Sequence, residues 1–227
     1  MANVDLPSFL TPLKTYRAVL PPRQMTLDAT GGAAAAPAQK ILSNVSMTGQ
    51  EQSNWCWSAV TQAVKRWSGK AVSQTDVASA HMSHNGRPIS CASPHESDAN
   101  GADCASGGNC AAICNDPHIL SVVLGENELF RRYISQGAAP KFNDIMACIN
   151  ANEPAPCRVQ WSTGGGHFIL VIGWTVDNTG AQLVHVLDPA SAGAGEAVPE
   201  RVLGFTQFTQ SYTLSGVSGA INYCYEV

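Results

Sequence analysis

The chain has 227 residues, of which 44% are hydrophobic and only 13% are charged, which is enough for a sizeable core and excludes global disorder. The formal net charge of −4 comes without a basic cluster or stripe, so no nucleic-acid partner is predicted. No apolar run approaches the roughly 20 residues that a membrane-spanning helix needs, so no membrane span is predicted either.

Residues 1–45 are predicted to be an N-terminal arm or linker ahead of a folded domain over residues 46–227. The stretch GGAAAAPAQ within the arm is of low complexity, and two consecutive prolines interrupt the chain before it. A pro-segment, an export tail and a poorly ordered terminus are all consistent with such an arm. The arm lacks the basic region and apolar core of a conventional secretory signal, so we expect a processed start, another export route or an intracellular protein.

Three helices are predicted in the first two thirds of the chain. In residues 56–67 apolar side chains recur every three or four positions, and Ser53 or Asn54 can cap the start of this helix. Further helices are predicted over residues 73–81 and 142–151 because the same spacing recurs there.

Residues 85–118 are predicted to form an irregular, cysteine-rich insert. The segment is polar, rich in Gly, Ser and Asn, and contains four of the eight cysteines. Cross-links are the simplest restraint on such a long irregular segment, so we expect disulfides here. Zinc binding by Cys104, Cys110 and Cys114 with a nearby histidine is the weaker alternative, because their spacing matches no paired zinc motif.

The eight cysteines also bear on the cellular compartment. Such a high count favours an oxidising destination, in which thiols can pair. Cys148 and Cys157 can close a short loop across two prolines. If Cys56 is a free nucleophile, seven cysteines remain, and at least one more must then be unpaired within the chain.

The last third of the chain is predicted to consist of strands. They are expected over residues 158–161, 167–174, 182–187, 202–208 and 221–227. Asp177, Asn178 and Gly180 predict a hairpin turn between the second and third of these strands. Helices followed by an antiparallel sheet predict the α+β fold class.

Cys56 stands in the first turn of a predicted helix, where the partial positive charge of the helix end favours a thiolate. His167 begins a strongly apolar strand directly after three glycines, and Asp188 ends the strand paired with it. The hairpin therefore brings Asp188 beside His167, where the carboxylate can fix the tautomer of the imidazole. Cysteine catalysis needs this combination of nucleophile, base and orienting group.

The segment QEQSNWCWSA, in which Gln50 lies six residues before Cys56, resembles the active-site segment of papain-like cysteine peptidases. The resemblance covers roughly residues 45–190, by order and context. Where the papain branch has Cys-Gly-Ser, this chain has Ser-Asn-Trp, so it is similar to divergent bacterial members, some of them secreted effector proteases, that carry a Trp-Cys-Trp start. Asp188 is a second departure, since papain uses asparagine there.

The resemblance implies a papain-like α+β fold, in which an N-terminal helical part with the nucleophile packs against an antiparallel sheet that carries His167 and Asp188. It implies peptide-bond hydrolysis through Cys56, His167 and Asp188, with Gln50 as oxyanion donor and no cofactor. The expected partners are a protein or peptide substrate and a cognate inhibitor or immunity protein. Secretion or delivery into a target cell, as an effector or toxin, is the expected location.

Several alternatives stay open at this point. Gln52 is a second candidate for the oxyanion donor, and His185 on the second strand of the hairpin competes with His167 as the base. Trp55, Trp57 and Trp161 can line a substrate cleft or simply pack in the core. The same catalytic residues would serve an acyl transferase or a deamidase, and a catalytically idle, disulfide-stapled binding module is the third hypothesis.

Overall fold

Five helices and an eight-stranded antiparallel sheet make up the part of the chain that the computed structural model describes, which is residues 38–87, 90–91 and 114–227. The α+β class predicted from the sequence is therefore confirmed. Most of the predicted arm and most of the predicted cysteine-rich insert lie outside the described residues. No described helix combines the length and the apolar character needed to cross a membrane.

The helices are α1 (Cys56–Trp67), α2 (Gln74–His84), α3 (Leu120–Glu126), α4 (Phe142–Asn150) and α5 (Phe205–Gln210). Helix α1 begins and ends at the predicted residues. Its N-cap is Trp55, which makes no side-chain capping bond, so the prediction that Ser53 or Asn54 caps it is wrong. Helix α2 is capped by Ser73, whose side chain accepts from the backbone N–H of Asp76 in a capping box.

The strands are β1 (Ala38–Ile41), β2 (Arg132–Gln136), β3 (Ala155–Trp161), β4 (Gly166–Val176), β5 (Gln182–Leu187), β6 (Glu200–Gly204), β7 (Tyr212–Leu214) and β8 (Val217–Glu226). They are ordered β2-β8-β3-β4-β5-β6, with β1 paired to β4 and β7 paired to β8. The predicted strand over 202–208 is wrong beyond Gly204, where α5 begins. Phe205 and Phe208 lie on one face of that helix, and Phe205 packs edge-on against Phe142 of α4.

Residues 38–45 belong to the folded domain, although the sequence placed them in the arm. Strand β1 pairs with the second half of β4, from Ala38 opposite Val176 to Ile41 opposite Gly173. Leu42 and Val45, just after β1, are buried in the core. Among the described residues, the folded domain therefore includes residues 38–45, which the predicted boundary left out.

Helix α1 packs both against other helices and against the sheet. Its contacts are with α2, α3 and β4. Its buried residues Trp57, Val60 and Val64 each contribute about 1.5–3 kcal/mol by leaving water. This packing fixes the start of α1 relative to β4, so a residue at position 56 faces the sheet across the interface.

One disulfide is present among the described cysteines. Cys91 and Cys114 form a disulfide, whereas Cys104 and Cys110 lie outside the described residues. Because Cys114 is oxidised, it is not available as the zinc thiolate considered above. Among the described residues, no cluster of three or more potential metal ligands occurs.

The predicted Cys148–Cys157 link is wrong. Both thiols are free and buried, and the Sγ of Cys157 lies 3.1 Å from the Sγ of Cys224 instead. The reason is the register of the sheet, in which Cys157 on β3 stands directly opposite Cys224 on β8. Burial raises the pKa of Cys148 to about 12, so this thiol stays protonated at neutral pH.

Candidate active site

The imidazole of His167 lies between the thiol of Cys56 and the carboxylate of Asp188. Its Nε2 is 2.7 Å from Oδ1 of Asp188, and the ring is near enough to the Cys56 side chain for the two to interact electrostatically. Since Asp188 occupies Nε2, Nδ1 is the nitrogen left for the thiol. All three residues are buried, since Cys56 is 9% exposed, His167 is 6% exposed and Asp188 is 0% exposed. The arrangement is that of a nucleophile, its base and the group that orients the base.

Three elements position these side chains. Cys56 is the first residue of α1, His167 is the second residue of β4, and Asp188 follows the last residue of β5. The antiparallel pairing of β4 with β5 sets Leu170 opposite Leu187, which brings the end of β5 alongside the start of β4. The hairpin thus brings His167 and Asp188 together, as its sequence pattern predicted.

The charges of this group are strongly coupled. Burial alone would lower the pKa of His167, but hydrogen bonds to Asp188 and Cys56, with the charges of both, outweigh burial and raise that pKa to about 9. Burial works against the Asp188 charge as well, yet the hydrogen bond and positive charge of His167 hold the carboxyl pKa below its ordinary value. At neutral pH His167 is therefore an imidazolium beside an ionised Asp188.

Comparison with protein families bears directly on this site. Residues 42–219 match the model of the Peptidase_C39-like family, a span that contains Cys56, His167 and Asp188. The chain belongs to the Peptidase_C39-like family. Membership confirms the papain-like α+β fold and the relationship to cysteine peptidases that the sequence indicated. A search of curated proteins found no match to the chain.

In this Peptidase_C39-like chain, two further side chains bind the carboxylate of Asp188. The hydroxyl of Tyr212 donates to Oδ2, and Nη1 of Arg201 donates to the same oxygen over 3.3 Å. The backbone N–H of Ala190 donates to Oδ1 over 2.9 Å. Burial, followed by the charge of Asp188, raises the pKa of Tyr212, so its hydroxyl keeps its proton and remains a donor.

Sequence reasoning did not identify Arg201 or Tyr212 as part of the site. Arg201 lies on the neighbouring strand β6, directly opposite Val186 of β5. Val186 is two residues before Asp188. Its Nη1 also donates to the Tyr212 hydroxyl over 2.8 Å, and its guanidinium carbon lies 5.0 Å from the Tyr212 ring centre. The signal that would have revealed Arg201 is the register of β5 with β6, which the sequence pattern does not give.

Of the three tryptophans considered for a cleft, only Trp161 makes a ring contact with one of the three candidate residues. Its ring stacks on the imidazole of His167, with centres 5.8 Å apart and an interplanar angle of 19°. Trp55 and Trp57 are fully buried, and their indole N–H groups donate to backbone carbonyls of the segment 114–116. Trp161 covers one ring face of the base, whereas the other two dock α1 onto that segment.

The segment 114–116 also fixes the residues that lead into Cys56. The side-chain oxygen of Asn115 accepts from the backbone N–H of Asn54 over 2.8 Å, and its backbone carbonyl accepts from the Asn54 amide over 2.7 Å. The amide nitrogen of Asn115 donates to the Ser53 hydroxyl over 2.9 Å. Because Cys114 is joined to Cys91, a disulfide anchors the segment that supports the residues before Cys56.

The side chain of Gln50 is close to the nucleophile segment, but it is not poised as an oxyanion donor. Its amide nitrogen donates to the backbone carbonyls of Gln52 and Ser53, over 3.0 and 2.6 Å. Its Oε1 is buried without a hydrogen-bond partner among the described residues. Donation to an oxyanion requires the amide to turn, so the roles of Gln50 and of the alternative Gln52 stay predictions.

The backbone around Gln50 is held tightly. A side chain at Gly49 would place its Cβ 2.2 Å from the carbonyl oxygen of Gly193, so only glycine fits there. The next N–H, of Gln50, donates to the carbonyl of Pro189 over 2.9 Å, directly after Asp188. The fully buried Gln74 adds a bond from its amide to the carbonyl of Gly49.

His185, the alternative base, lies in a different network of the sheet. Its Nε2 is 2.8 Å from the hydroxyl of Thr175, and its Nδ1 is 2.6 Å from Oε1 of Glu200. Both ring nitrogens are thus occupied by partners other than Cys56. The structure brings His167, and not His185, to the thiol.

Proposed function

We propose that this Peptidase_C39-like chain is a cysteine endopeptidase that hydrolyses peptide bonds of a protein or peptide substrate. The observation that carries the proposal is the buried series in which the Cys56 side chain interacts with His167 and His167 is hydrogen-bonded to Asp188. A structural cysteine has no need of an imidazolium at its thiol, or of three further hydrogen-bond donors on the carboxylate behind that imidazolium. Perturbed titratable groups in such an arrangement are typical of functional sites.

The proposed reaction begins with attack of the Cys56 sulfur on the carbonyl carbon of the scissile bond. His167, protonated at neutral pH, gives its proton to the leaving amine as the C–N bond breaks and a thioester forms. The neutral imidazole then removes a proton from water, which attacks the thioester and releases the acid and the thiolate. Throughout, Asp188 keeps Nε2 bonded and Nδ1 directed at the reacting atoms.

The negative oxygen of the tetrahedral intermediates needs donors that are already in place. The first backbone N–H groups of α1 have no partner within the helix, and that of Cys56 is next to the nucleophile. We assign the first donor to this N–H and the second to the amide of Gln50 after it turns. Replacing Gln50 by alanine should then lower kcat by about 10²-fold or more with little change in KM.

Labelling and cleavage by matched variants test the proposal. We expect iodoacetamide or a peptidyl epoxide to label wild-type Cys56, and Cys56→Ala to abolish both the label and all new substrate N-termini. The matched control is Cys148→Ala, which removes another buried, unpaired thiol outside the site. A second pair is His167→Gln, expected to be inactive, against His185→Gln, expected to cleave. Unchanged cleavage by Cys56→Ala would refute the peptidase proposal.

The nature of the product separates hydrolysis from the alternatives. Mass spectrometry of a treated proteome should show new N-termini in the presence of wild type that are missing with Cys56→Ser. Single-dalton shifts or cross-links in place of new N-termini would make the enzyme a deamidase or an acyl transferase. An unreactive Cys56 in folded protein would instead support an idle binding module.

We also propose that the protein acts after secretion or delivery into a target cell, as an effector or toxin with a cognate inhibitor or immunity protein. The Cys91–Cys114 disulfide supports an oxidising destination, because such links persist mainly outside the reducing cytosol. Alkylation of free thiols in protein collected from medium and from cells should find this pair oxidised in the medium. A protein found only inside the producing cell would contradict the proposal.

A further inference from the structure

A pocket of about 630 Å³ opens beside the catalytic histidine. Gly166 and Phe168, the chain neighbours of His167, form one wall. The opposite wall begins at Pro117, directly after the segment 114–116 that holds Ser53 and Asn54 in front of Cys56. The pocket is therefore bounded by close chain neighbours of both the nucleophile and the base, so a substrate side chain near the scissile bond reaches it.

Arg158 on β3 supplies the charge of this pocket. It is half-buried, and among the described residues that line the pocket it is the only Lys, Arg, Asp or Glu. His118, also in the lining, has its pKa lowered by burial and then by the charge of His81, so it is neutral at pH 7. Burial raises the pKa of the lining residue Tyr225, whose hydroxyl is neutral as well. The described lining residues thus present one positive charge, in a chain whose net charge is −4.

The partners of Arg158 are neutral acceptors. Its Nη1 donates to the side-chain oxygens of Gln160 and Asn222, over 2.6 and 3.1 Å, and Nη2 donates to the carbonyl of Gly165 over 3.3 Å. No ion pair of the described residues includes Arg158. These bonds use three of the five N–H groups of the guanidinium, and no carboxylate among the described residues pairs with its charge.

Gly166 sets where this charge lies. A Cβ on Gly166 would be 2.5 Å from Nη2 and 2.6 Å from Cζ of Arg158, so the guanidinium packs directly on the backbone of the residue before His167. Only a residue without a side chain admits this contact. Gly166 thus leaves room for the charge next to β4, and the hydrogen bonds of Arg158 to Gln160, Asn222 and Gly165 hold it there.

We propose that this pocket selects substrates with an aspartate or glutamate side chain close to the scissile bond, and that Arg158 is the residue that recognises the carboxylate. A planar guanidinium binds a carboxylate through parallel, charge-assisted hydrogen bonds that a neutral amide cannot match. The inference rests on the proposed function, because it takes the substrate to react at Cys56.

Peptidyl epoxide probes that differ only in Glu or Gln at successive positions test this inference, because labelling of Cys56 needs no turnover. At one position the wild type should label at least about tenfold faster with the Glu probe than with the Gln probe. Arg158→Gln should bring that ratio close to one, and Arg158→Glu should favour a Lys probe. Arg131→Gln, which removes an exposed arginine outside the pocket, should keep the wild-type ratio.

Equal wild-type rates with Glu and Gln at every position would overturn the inference, whether or not the variants fold. A ratio unchanged in Arg158→Gln would overturn the role of Arg158. Labelling by iodoacetamide separates these failures from failure of the proposed function. If Cys56 reacts with iodoacetamide but shows no preference for a carboxylate, only the specificity inference fails, whereas an unreactive Cys56 in folded wild type refutes the catalytic proposal and this inference with it.

Discussion

The two halves of the candidate active site are stabilised by different kinds of interaction. On the helical side, neutral hydrogen bonds from Asn115 and the docking of two tryptophans hold the residues before Cys56. On the sheet side, a charged network that includes Arg201 fixes the carboxylate of Asp188. The helical half therefore depends on a segment distant in sequence and anchored by a disulfide, whereas the sheet half is built from neighbouring strands.

This difference separates two kinds of vulnerability. Loss of a charge from the sheet half leaves buried ionic partners without compensation, which is costly in stability and in chemistry. Loss of a bond from the helical half loosens the approach to the nucleophile but leaves the charges of the site intact. The three predictions below test that distinction, beginning with the largest expected effect on activity.

The largest effect is expected for Asp188→Asn. The amide keeps the shape of the carboxylate but removes the charge that supports the His167 imidazolium, so kcat/KM should fall by about 10²- to 10⁴-fold. Steady-state kinetics on a cleaved peptide measure this loss. Asp177→Asn in the exposed turn between β4 and β5 is the matched control and should keep full activity. Near-normal activity of Asp188→Asn would show that the charged network is not needed for catalysis.

The second prediction concerns pH. Because the pKa of His167 is raised from 6.5 to about 9, its contribution to stability is complete below about pH 6.5 and is lost as the pH rises through about 9. The lowered pKa of Asp188 has the corresponding effect at acid pH. The stability that its carboxylate contributes is present above about pH 3.8 and is lost as the pH falls through the lowered pKa. Activity should follow His167 and decline above about pH 9.

A pH–rate profile of kcat/KM and thermal unfolding across the same range measure both limbs. In Asp188→Asn the alkaline limb should shift to lower pH, because one of the charges that raise the His167 pKa is gone. An alkaline limb near pH 6.5 in the wild type would contradict the coupled network.

The smallest effect on activity is expected from the disulfide. The double variant Cys91→Ser/Cys114→Ser should lower the free energy of unfolding by about 3 kcal/mol, because the link closes a loop that the unfolded chain would otherwise leave open. Activity below the unfolding transition should fall by about tenfold or less, since His167 and Asp188 are not displaced. Chemical denaturation and kinetics test the two parts separately, and the reduced wild type serves as a comparison. A loss of activity as large as that of Asp188→Asn would remove the distinction between the halves.

The sequence was informative where a local pattern determines the structure. The periodicity around Cys56 gave both ends of α1, and the Asp-Asn-Thr-Gly turn gave the hairpin that joins His167 to Asp188. The same local patterns missed β1, β2, β7 and α3, which are all short. Of these, β1 and β2 pair with strands distant in sequence, whereas β7 forms a tight hairpin with β8. Phe205 and Phe208 were assigned to a strand because the helical spacing of so short a segment cannot be told from a buried strand.

The supporting residues of the site could not be predicted for a related reason. Arg201 reaches Asp188 only through the register of β5 with β6, and Asn115 reaches Ser53 and Asn54 from a distant segment. Neither register nor tertiary docking is encoded in a window of neighbouring residues. The Cys148–Cys157 error has the same origin, because proximity along the chain suggested a pair that the pairing of β3 with β8 rules out.

The packing of α1 against β4 has a consequence for how this protein can be followed as it folds. Cys56 and His167 enter the domain from distant parts of the chain, so their contact forms only when the helices dock on the sheet. Cys148, Cys157 and Cys224 become buried in the core, away from that contact. The rate at which Cys56 reacts with a thiol probe during refolding should therefore report when the helices dock on the sheet.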